Sequence, residues 1–477
     1  MPLPVDRRHI VFLTVMLGTF TSVFTGNATL IAMPVVAVEF SSDLLTAQWL
    51  ILAQFLTISA LLLPIGSLSD LIGRKKIFAT GAFCFFLGSV LSSLAPSMNT
   101  LLFFRVVTAA GAAMMQACSL AILANLYSQA NRGRVFGIQM AAVGAGGILG
   151  LSIGGILIER IDWRGLYFFT GCISLMVMFL TLLFFKKLPP AQAGENKTFD
   201  VTGSVMIVVF LISFIITLTI GPRLGWLDLT VLSSLIMSVL IFLIFIWHQK
   251  RTPHPLIDFS LFRGKLSLSL SVLAGFLMFM GTSSIRMLIP FFLFFALGFG
   301  PEMVGLVMLP GAFMTAVLSP LTGRFSDYWG ARKTANVGLL ICMISLVFLS
   351  FLQVTTPVWQ IILLVMLLAT GMAAFYAPNN SAVMSMVPKK DFGLFSGMLN
   401  LSRTIGNSLG IASATAIVAI VMASHGFPPQ IPGPDEQISP DHVAAFTEGC
   451  RLVFRIMGLI ALANVLSMYF SRPKVSA

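Results

Sequence analysis

Long apolar runs separated by short polar segments set the strongest limit on how this chain can fold. A run of about 20 apolar residues can cross a bilayer as a helix. Inside the bilayer, helices satisfy every backbone hydrogen bond internally. Of the 477 residues, 57% are hydrophobic and only 10% are charged, whereas soluble domains carry about 25% charged residues. We therefore predict an all-α integral membrane protein.

The apolar runs predict fourteen spans, grouped as six, two and six. They lie at residues 10–35, 45–68, 77–95, 101–127, 134–158, 165–185, 201–221, 229–248, 267–298, 302–321, 335–353, 357–387, 393–423 and 443–470. Polar linkers at 186–200 and 249–265 separate the three groups. We predict a six-helix bundle in residues 1–187, a linker with two additional transmembrane helices in 188–266, and a second six-helix bundle in 267–477.

Positive charges fall mainly on one side of these spans. If the N-terminus is cytoplasmic, 21 of the 29 Lys and Arg residues lie in inner segments, and only Arg160, Arg164 and Arg223 lie in outer ones. Because cytoplasmic loops carry an excess of Lys and Arg, we predict a cell (inner) membrane protein with both termini in the cytoplasm. The lipid bilayer then accounts for the net charge of +12, and no nucleic-acid partner is expected.

The polar residue types show no pattern typical of a metal centre, a cofactor site or an enzyme. The five Cys residues stand singly in apolar segments, and the five His residues lie outside the spans or at their ends. No phosphate-binding loop is present, and no catalytic constellation lies at a plausible depth. We therefore expect no metal, no cofactor and no enzymatic activity.

A short motif of the form Gly-x3-Asp-x2-Gly, followed by basic residues, occurs twice. The copies comprise Gly66, Asp70, Gly73 and Arg74, and then Gly323, Asp327, Gly330 and Arg332. Each copy falls between two apolar runs, and the copies begin 257 residues apart. Two such motifs at corresponding places indicate a duplicated architecture.

The repeated motif resembles the loop between the second and third helices of the major facilitator superfamily. In that family the Gly lets two helices approach, and the Asp and Arg help to close the cytoplasmic gate. The resemblance implies a gating role for the eight residues just named. The alternative is a positively charged cytoplasmic loop without a gating role.

Glycines punctuate the fifth span, at Gly137, Gly146, Gly150, Gly154 and Gly155. Three of them, at i, i+4 and i+8, share one helix face on which a neighbouring helix can pack closely. The spacing also resembles the exporter signature of the superfamily, although Leu151 stands where that signature has Pro. With the six, two and six layout and Trp163-Arg164, these motifs resemble the fourteen-helix drug/proton antiporter branch.

Polar and cationic residues within the spans are the candidates for a substrate cavity. They are Asn27, Gln54, Arg105, Gln116, Gln139, Arg286, Tyr376, Asn379, Asn380, Asn400 and Arg403. Arg105 matches the buried Arg in the fourth helix of the superfamily, and its alternative is to snorkel to the outer interface. An Arg at the membrane centre costs at least about 2.5 kcal/mol, so such residues are usually functional. Guanidinium groups with few acid partners favour an anionic ligand.

No carboxylate is predicted at mid-membrane. Thr25 stands where the antiporter branch commonly has Asp, and the acids of this chain fall in loops or near span ends. Because a coupled proton must ride on a buried titrating group, protons remain an open partner.

The resemblance implies two six-helix bundles around a central cavity that work by alternating access. The lead hypothesis is a secondary active exporter of an amphiphilic, anionic small molecule. An importer, or a translocator of a lipid-like substrate without proton coupling, is the alternative within transport. A transporter-like receptor or scaffold is the alternative from another class.

Overall fold

The computed structural model describes residues 5–126, 129–185, 200–252, 266–386, 392–428 and 439–470, which are almost entirely helical. The α-helices are α1 (Val5–Glu39), α2 (Leu44–Ala47), α3 (Trp49–Ile72), α4 (Arg74–Ser93), α5 (Met98–Leu126), α6 (Gln129–Ile161), α7 (Trp163–Phe184), α8 (Val201–Leu224), α9 (Leu229–Arg251), α10 (Leu266–Phe291), α11 (Pro301–Trp329), α12 (Ala331–Leu349), α13 (Val358–Ser385), α14 (Phe392–Ser424) and α15 (Pro440–Phe470). A π-helical segment, Phe292–Ala296, continues α10.

Fourteen helical segments in the described part of the chain are long and apolar enough to cross a membrane. The second of them, Leu44–Leu62, includes α2 and most of α3. The predicted all-α membrane fold with fourteen spans is therefore confirmed.

Aspartates begin several helices. The carboxylates of Asp43, Asp162 and Asp228 accept hydrogen bonds from backbone N–H groups in the first turns of α2, α7 and α9. Such caps satisfy donors that have no partner within the helix. The backbone N–H of Thr230 holds the pKa of Asp228 below its ordinary value, because the bond favours the charged carboxylate.

Contacts divide the chain into two compact units. The first unit comprises Met1–Phe40, Trp49–Val201 and Gly300–Leu306. The second comprises Ser41–Gln48, Thr202–Phe299 and Val307–Ala477. The additional helices α8 and α9 are thus grouped with the second bundle, and the three-part division at residues 187 and 267 stays a prediction.

The same helix pairings occur inside each unit. In the first unit α1 packs on α6 and α7, and α4 packs on α5 and α7. In the second unit α10 packs on α14 and α15, and α12 packs on α13 and α15. The order of the partners along the chain is the same, which agrees with the duplication that the repeated motif predicted.

Glycine contacts repeat in the same way. A Cβ added at Gly81 on α4 would lie 2.9 Å from the carbonyl oxygen of Gly111 on α5. A Cβ added at Gly338 on α12 would lie 2.7 Å from the carbonyl oxygen of Gly371 on α13. Small residues at these crossings let two helix backbones touch.

The additional helices α8 and α9 pack on each other. The Thr217 and Ser234 hydroxyls lie 2.6 Å apart, and the rings of Phe210 and Phe242 have centroids 4.7 Å apart. Large apolar side chains such as Leu243 remain exposed on α9. A helix facing lipid is expected to keep such residues on its surface.

Candidate functional site

Arg105, on α5, is buried in the first unit with an exposed fraction of 1%. Its Nη2 donates a 2.6 Å hydrogen bond to Oε1 of Gln54 on α3. Its guanidinium lies 5.1 Å from the ring centroid of Tyr167 on α7, and the Tyr167 hydroxyl lies 3.4 Å from Oγ1 of Thr29 on α1. Two of the predicted cavity residues, Arg105 and Gln54, are therefore brought together, and Arg105 does not snorkel.

Neutral groups hold this buried cation in place. A hydrogen bond to a charged group is worth about 1.5–3 kcal/mol, and a desolvated cation–π contact adds about 2 kcal/mol. Nε of Arg105 is buried and has no hydrogen-bond partner among the described residues. The guanidinium therefore keeps a donor that the described part of the protein does not use.

The other predicted cavity residues of the first unit have different surroundings. Nε2 of Gln116 donates to Oγ of Ser22, at 3.0 Å, and links α5 to α1. Nδ2 of Asn27 bonds the carbonyl oxygen of Val23 on its own helix. Gln139 is buried, and its Oε1 has no partner among the described residues. These residues do not join the Arg105 cluster through any hydrogen bond in the described part.

In the second unit, Arg286 on α10 is held by a neutral amide. Its Nη2 donates to Oδ1 of Asn407 on α14, at 3.1 Å, and its Nε is buried without a partner in the described part of the chain. Arg403 lies one helical turn before Asn407, and its Nη1 donates to the Tyr376 hydroxyl at 3.3 Å. Arg286, Tyr376 and Arg403 are thus on three neighbouring helices, α10, α13 and α14.

Two buried amides fix α10 to its neighbours. Nδ2 of Asn379 on α13 donates to the carbonyl oxygen of Ser271, and Nδ2 of Asn464 on α15 donates to that of Ala274, each at 3.1 Å. Sequence reasoning included Asn379 but missed Asn464. Asn380 is partly exposed beside Asn379, and the side chain of Asn400 lies outside the described residues.

The repeated motif has the same backbone in both units. α3 continues to Ile72 and α11 to Trp329, so most of each motif is helical and the turn is a single glycine. Gly73 has φ 108° and ψ 127°, and Gly330 has φ 97° and ψ 129°. The two helices continue past the predicted ends of these spans, residues 68 and 321, and end only at the glycine with a positive φ.

The first glycines of the motif do not mark a close helix contact in this structure. Among the described residues, a Cβ added at Gly66 or Gly323 would meet no atom within 4 Å. The helix approach that the resemblance implied at these two positions is therefore not seen. The side chains of Asp70 and Asp327 lie outside the described residues, so their gating role stays a prediction.

A cation two residues after each turn glycine caps another helix. Nζ of Lys75 donates to the carbonyl oxygen of Leu182 near the end of α7, at 3.0 Å. Nη2 of Arg332 donates to the carbonyl oxygen of Met468 near the end of α15, at 2.8 Å. Cations are stabilised at helix C-termini by the helix dipole and by unpaired carbonyls. The duplication thus extends to these side-chain bonds. Arg74 follows Gly73 directly, and its side chain is partly buried.

The glycine face of α6 lies against α1. A Cβ added at Gly150 would lie 2.6 Å from the carbonyl oxygen of Phe24, and one at Gly154 would lie 2.6 Å from Cβ of Ala28. Gly146 meets Phe20 in the same way, and Gly155 instead meets Pro301. The surroundings of Gly137 lie outside the described residues.

Sequence reasoning missed Glu39, the last residue of α1, whose carboxylate bonds two residues of α7. Glu39 accepts hydrogen bonds from Nε1 of Trp163 and from Nη1 of Arg164, the latter at 2.5 Å. The Arg164 guanidinium also lies 4.3 Å from the Trp163 ring centroid. The only sequence signal was the Trp163-Arg164 pair itself, because Glu39 is 124 residues from Trp163.

A second missed residue, Gln48, joins three helices of the second unit. It is fully buried, accepts a 2.6 Å hydrogen bond from Oγ1 of Thr415 on α14, and donates to Oγ1 of Thr219 on α8 at 3.4 Å. The additional helix α8 is therefore bonded to the short segment between α1 and α3.

Among the described residues, no group of three or more His, Cys, Asp or Glu side chains could hold a metal ion. The clusters around Arg105 and Arg286 are built from guanidinium, amide, hydroxyl and aromatic groups. Such groups bind and orient a ligand.

The sequence model of one protein family, the Major Facilitator Superfamily, matches residues 15–411 and 271–476. The chain is 28% identical over 413 residues to the riboflavin transporter RibZ of Clostridioides difficile, covering 87% of this chain and 89% of that protein. It is 25% identical over 460 residues to the lincomycin resistance protein LmrB of Listeria monocytogenes, covering 96% and 95%. It is 27% identical over 404 residues to the multidrug resistance protein Stp of Mycobacterium tuberculosis, covering 84% and 74%.

Solved structures show the same fold. A bacterial homolog of the human lysosomal transporter Spinster, in an inward-facing and unoccupied conformation, superposes with a TM-score of 0.72. The two chains are 17% identical, and the match covers 98% of this chain and 97% of the other.

Proposed function

Since this chain belongs to the major facilitator superfamily and is a multi-pass membrane transporter, we propose that it exports an amphiphilic small molecule by secondary active transport. We infer that it is not an enzyme and that it needs no cofactor. The observation that carries the proposal is the pair of units in which the same helix pairings and the same glycine turn occur.

Alternating access requires two bundles that each move as a body. The same helix pairings recur in each unit, and the turns at Gly73 and Gly330 connect helices at corresponding places in each. The caps that Lys75 and Arg332 provide tie these turns to the last helix of each bundle. This supports the gating role proposed for the repeated motif.

The names of the relatives support transport of a small molecule, and one of them names export. They include a riboflavin transporter, a multidrug resistance protein, lincomycin resistance proteins and a tetracenomycin C export protein. The glycine face of α6 against α1 agrees with the resemblance to the exporter signature.

The alternative is an importer or a lipid translocator without proton coupling, and two observations favour it. Thr25 is buried and its hydroxyl bonds the Thr21 carbonyl oxygen of its own helix, at the position where the antiporter branch commonly has Asp. Leu151 stands in place of the signature Pro, and α6 runs as one helix through it. The lead proposal must therefore place the titrating group elsewhere, and Asp70, Asp327 and Glu448 are the first to test.

The proposed place of action is the cell (inner) membrane, with both termini in the cytoplasm. The asymmetry of Lys and Arg supports this orientation. The lipid bilayer, the substrate and protons are the proposed partners.

The proposal is tested by flux in proteoliposomes. Riboflavin, lincomycin and ethidium would be offered with an imposed pH gradient, while a pH-sensitive dye reports proton movement. We expect at least one compound to accumulate against its gradient with opposite proton flow, and protein-free liposomes to show neither. Flux without proton movement would favour the uncoupled alternative. The absence of flux of any compound, with the pH gradient imposed in either direction, would contradict export.

A further inference from the structure

The second unit carries two arginines on neighbouring helices, Arg286 on α10 and Arg403 on α14. We propose that this cation pair binds the oxyanion of an aromatic substrate, with a phosphate monoester preferred over a carboxylate. The inference rests on the proposed transport function and deepens it by naming the substrate class.

The two guanidinium groups lie close to each other. Arg286 bonds the Asn407 side chain on α14, and Arg403 is four residues before Asn407, on the same helix face. Both guanidinium groups are positively charged, and like charges in neighbouring positions repel each other. A like-charge pair of this kind is stabilised when an anion lies between its members.

The three helices around the pair supply no negative charge. The sequences of α10, α13 and α14 contain no Asp and no Glu. Among the described residues Arg286 forms no ion pair, and the Oδ1 of Asn407 accepts from only one of the five N–H donors of the Arg286 guanidinium. The buried Nε of Arg286 has no partner in the described part. A ligand oxygen is therefore the group that this guanidinium lacks.

Aromatic rings lie next to the cations. Phe279, seven residues before Arg286 on α10, packs edge to face on Tyr376, with ring centroids 5.6 Å apart. The Tyr376 hydroxyl is the group that Arg403 bonds. A planar ligand ring can stack on such side chains while its anionic end meets the guanidinium groups.

The site has an accessible face. Tyr376 is 39% exposed, and Arg286 and Arg403 are partly exposed. Arginine is not tolerated against hydrocarbon and faces water-filled cavities or the bundle interior. We therefore assign this face to an aqueous path that a solute can enter.

The charge balance sets the preference. A phosphate monoester carries about −1.5 to −2 at pH 7, so two guanidinium groups attract it more strongly than they attract a carboxylate with a single charge. Both oxyanions match the planar fork of Arg. The expected order of affinity is phosphate, then carboxylate, then a neutral analogue.

The test is calorimetric binding to the full-length purified protein, with three probes that share one ring system: 1-naphthyl phosphate, 1-naphthoate and 1-naphthol. We expect naphthyl phosphate to bind roughly ten- to a hundredfold more tightly than naphthol, the factor expected for a charge-assisted bond. Arg286→Gln should remove that advantage and leave naphthol binding unchanged.

Asn407→Asp is the second variant, because it keeps the side-chain shape and places a carboxylate against Arg286. It should also abolish the preference for phosphate, so the test holds even if Arg286→Gln does not fold. Arg451→Gln is the matched control. Arg451 bonds the Ser350 carbonyl oxygen away from this site, so its variant should keep the preference.

The outcomes separate this inference from the transport proposal. Suppose that riboflavin or lincomycin is transported and that the three naphthyl probes bind with equal affinity. This result would overturn the oxyanion site and leave the export proposal standing. Oxyanion binding that depends on Arg286, without flux of any compound, would overturn export and keep the site. If short-chain phosphatidic acid binds in the same calorimetric assay and naphthyl phosphate does not, the oxyanion belongs to a lipid. That result would overturn the aromatic part of the inference.

Discussion

At the scale of single residues, the hydrogen bond between Gln54 and Arg105 is the contact whose loss should cost most in the first unit. It is the only hydrogen bond of this buried guanidinium among the described residues. We expect Gln54→Leu to lower the free energy of unfolding by about 1.5–3 kcal/mol, because a buried charged donor is left unpaired. Thermal unfolding of the purified protein in detergent measures this. Gln54→Glu should retain the stability, because it keeps an acceptor.

The control for that change is Gln353→Leu, which removes the same side chain from an exposed loop. Its melting temperature should match that of the wild type. An equal melting temperature for Gln54→Leu would show instead that the Tyr167 ring alone is enough to hold Arg105.

At the scale of elements, the turns at Gly73 and Gly330 depend on backbone conformation alone. Both have φ near 100°, and an added Cβ would meet no atom of the described part of the chain within 4 Å. We expect Gly73→Ala and Gly330→Ala each to cost about 1–3 kcal/mol of stability, because an L-residue is strained there. Thermal unfolding of each variant measures this cost.

Gly66→Ala and Gly323→Ala are the matched controls, since these glycines are helical and equally uncrowded. They should be neutral or stabilising by about 0.5–1 kcal/mol, because Ala favours the helix. Equal losses at all four positions would mean that the motif resists any side chain and that the positive φ is not the cause.

At the scale of the whole molecule, the orientation in the membrane can be tested by cysteine labelling. The variants Pro2→Cys and Ser476→Cys would be made in a chain whose five native Cys are replaced by Ala. An impermeant maleimide should label both from the inner face only, because the Lys and Arg excess holds that side in the cytoplasm.

The matched position is Ser97→Cys, in the loop between α4 and α5, which should react from the outer face. Labelling of Ser97→Cys from the inner face, with the termini reacting from the outer face, would contradict the proposed orientation.

The fold was largely predictable from local signals. Fourteen apolar runs predicted the fourteen spans, and the repeated motif predicted the duplication. Both could be predicted because the length of an apolar run and the spacing of glycines are local properties of the chain. The helix ends were less predictable. Polar residues such as Ser69 remain helical up to the turn glycine, since its hydroxyl bonds the Gly66 carbonyl oxygen.

The sequence was enough to predict which arginines belong to the candidate sites, but not which residues they form hydrogen bonds with. Arg105 and Arg286 could be singled out because an Arg in an apolar run is rare. Their partners Gln54 and Asn407 lie 51 and 121 residues away, and nothing in the local sequence pairs them. Glu39 and Gln48 were missed for the same reason, because their importance comes from distant contacts.

The sequence by itself determined that this chain is helical, that it spans a membrane fourteen times, and that its two halves repeat. Each follows from the length of apolar runs, the placement of charges and the recurrence of one motif. Only the tertiary structure decided which neutral amide holds Arg105, which one holds Arg286, and which glycines let helices touch. The physical reason is that membrane helices are apolar on nearly every side, so hydrophobic periodicity does not show which face meets which neighbour.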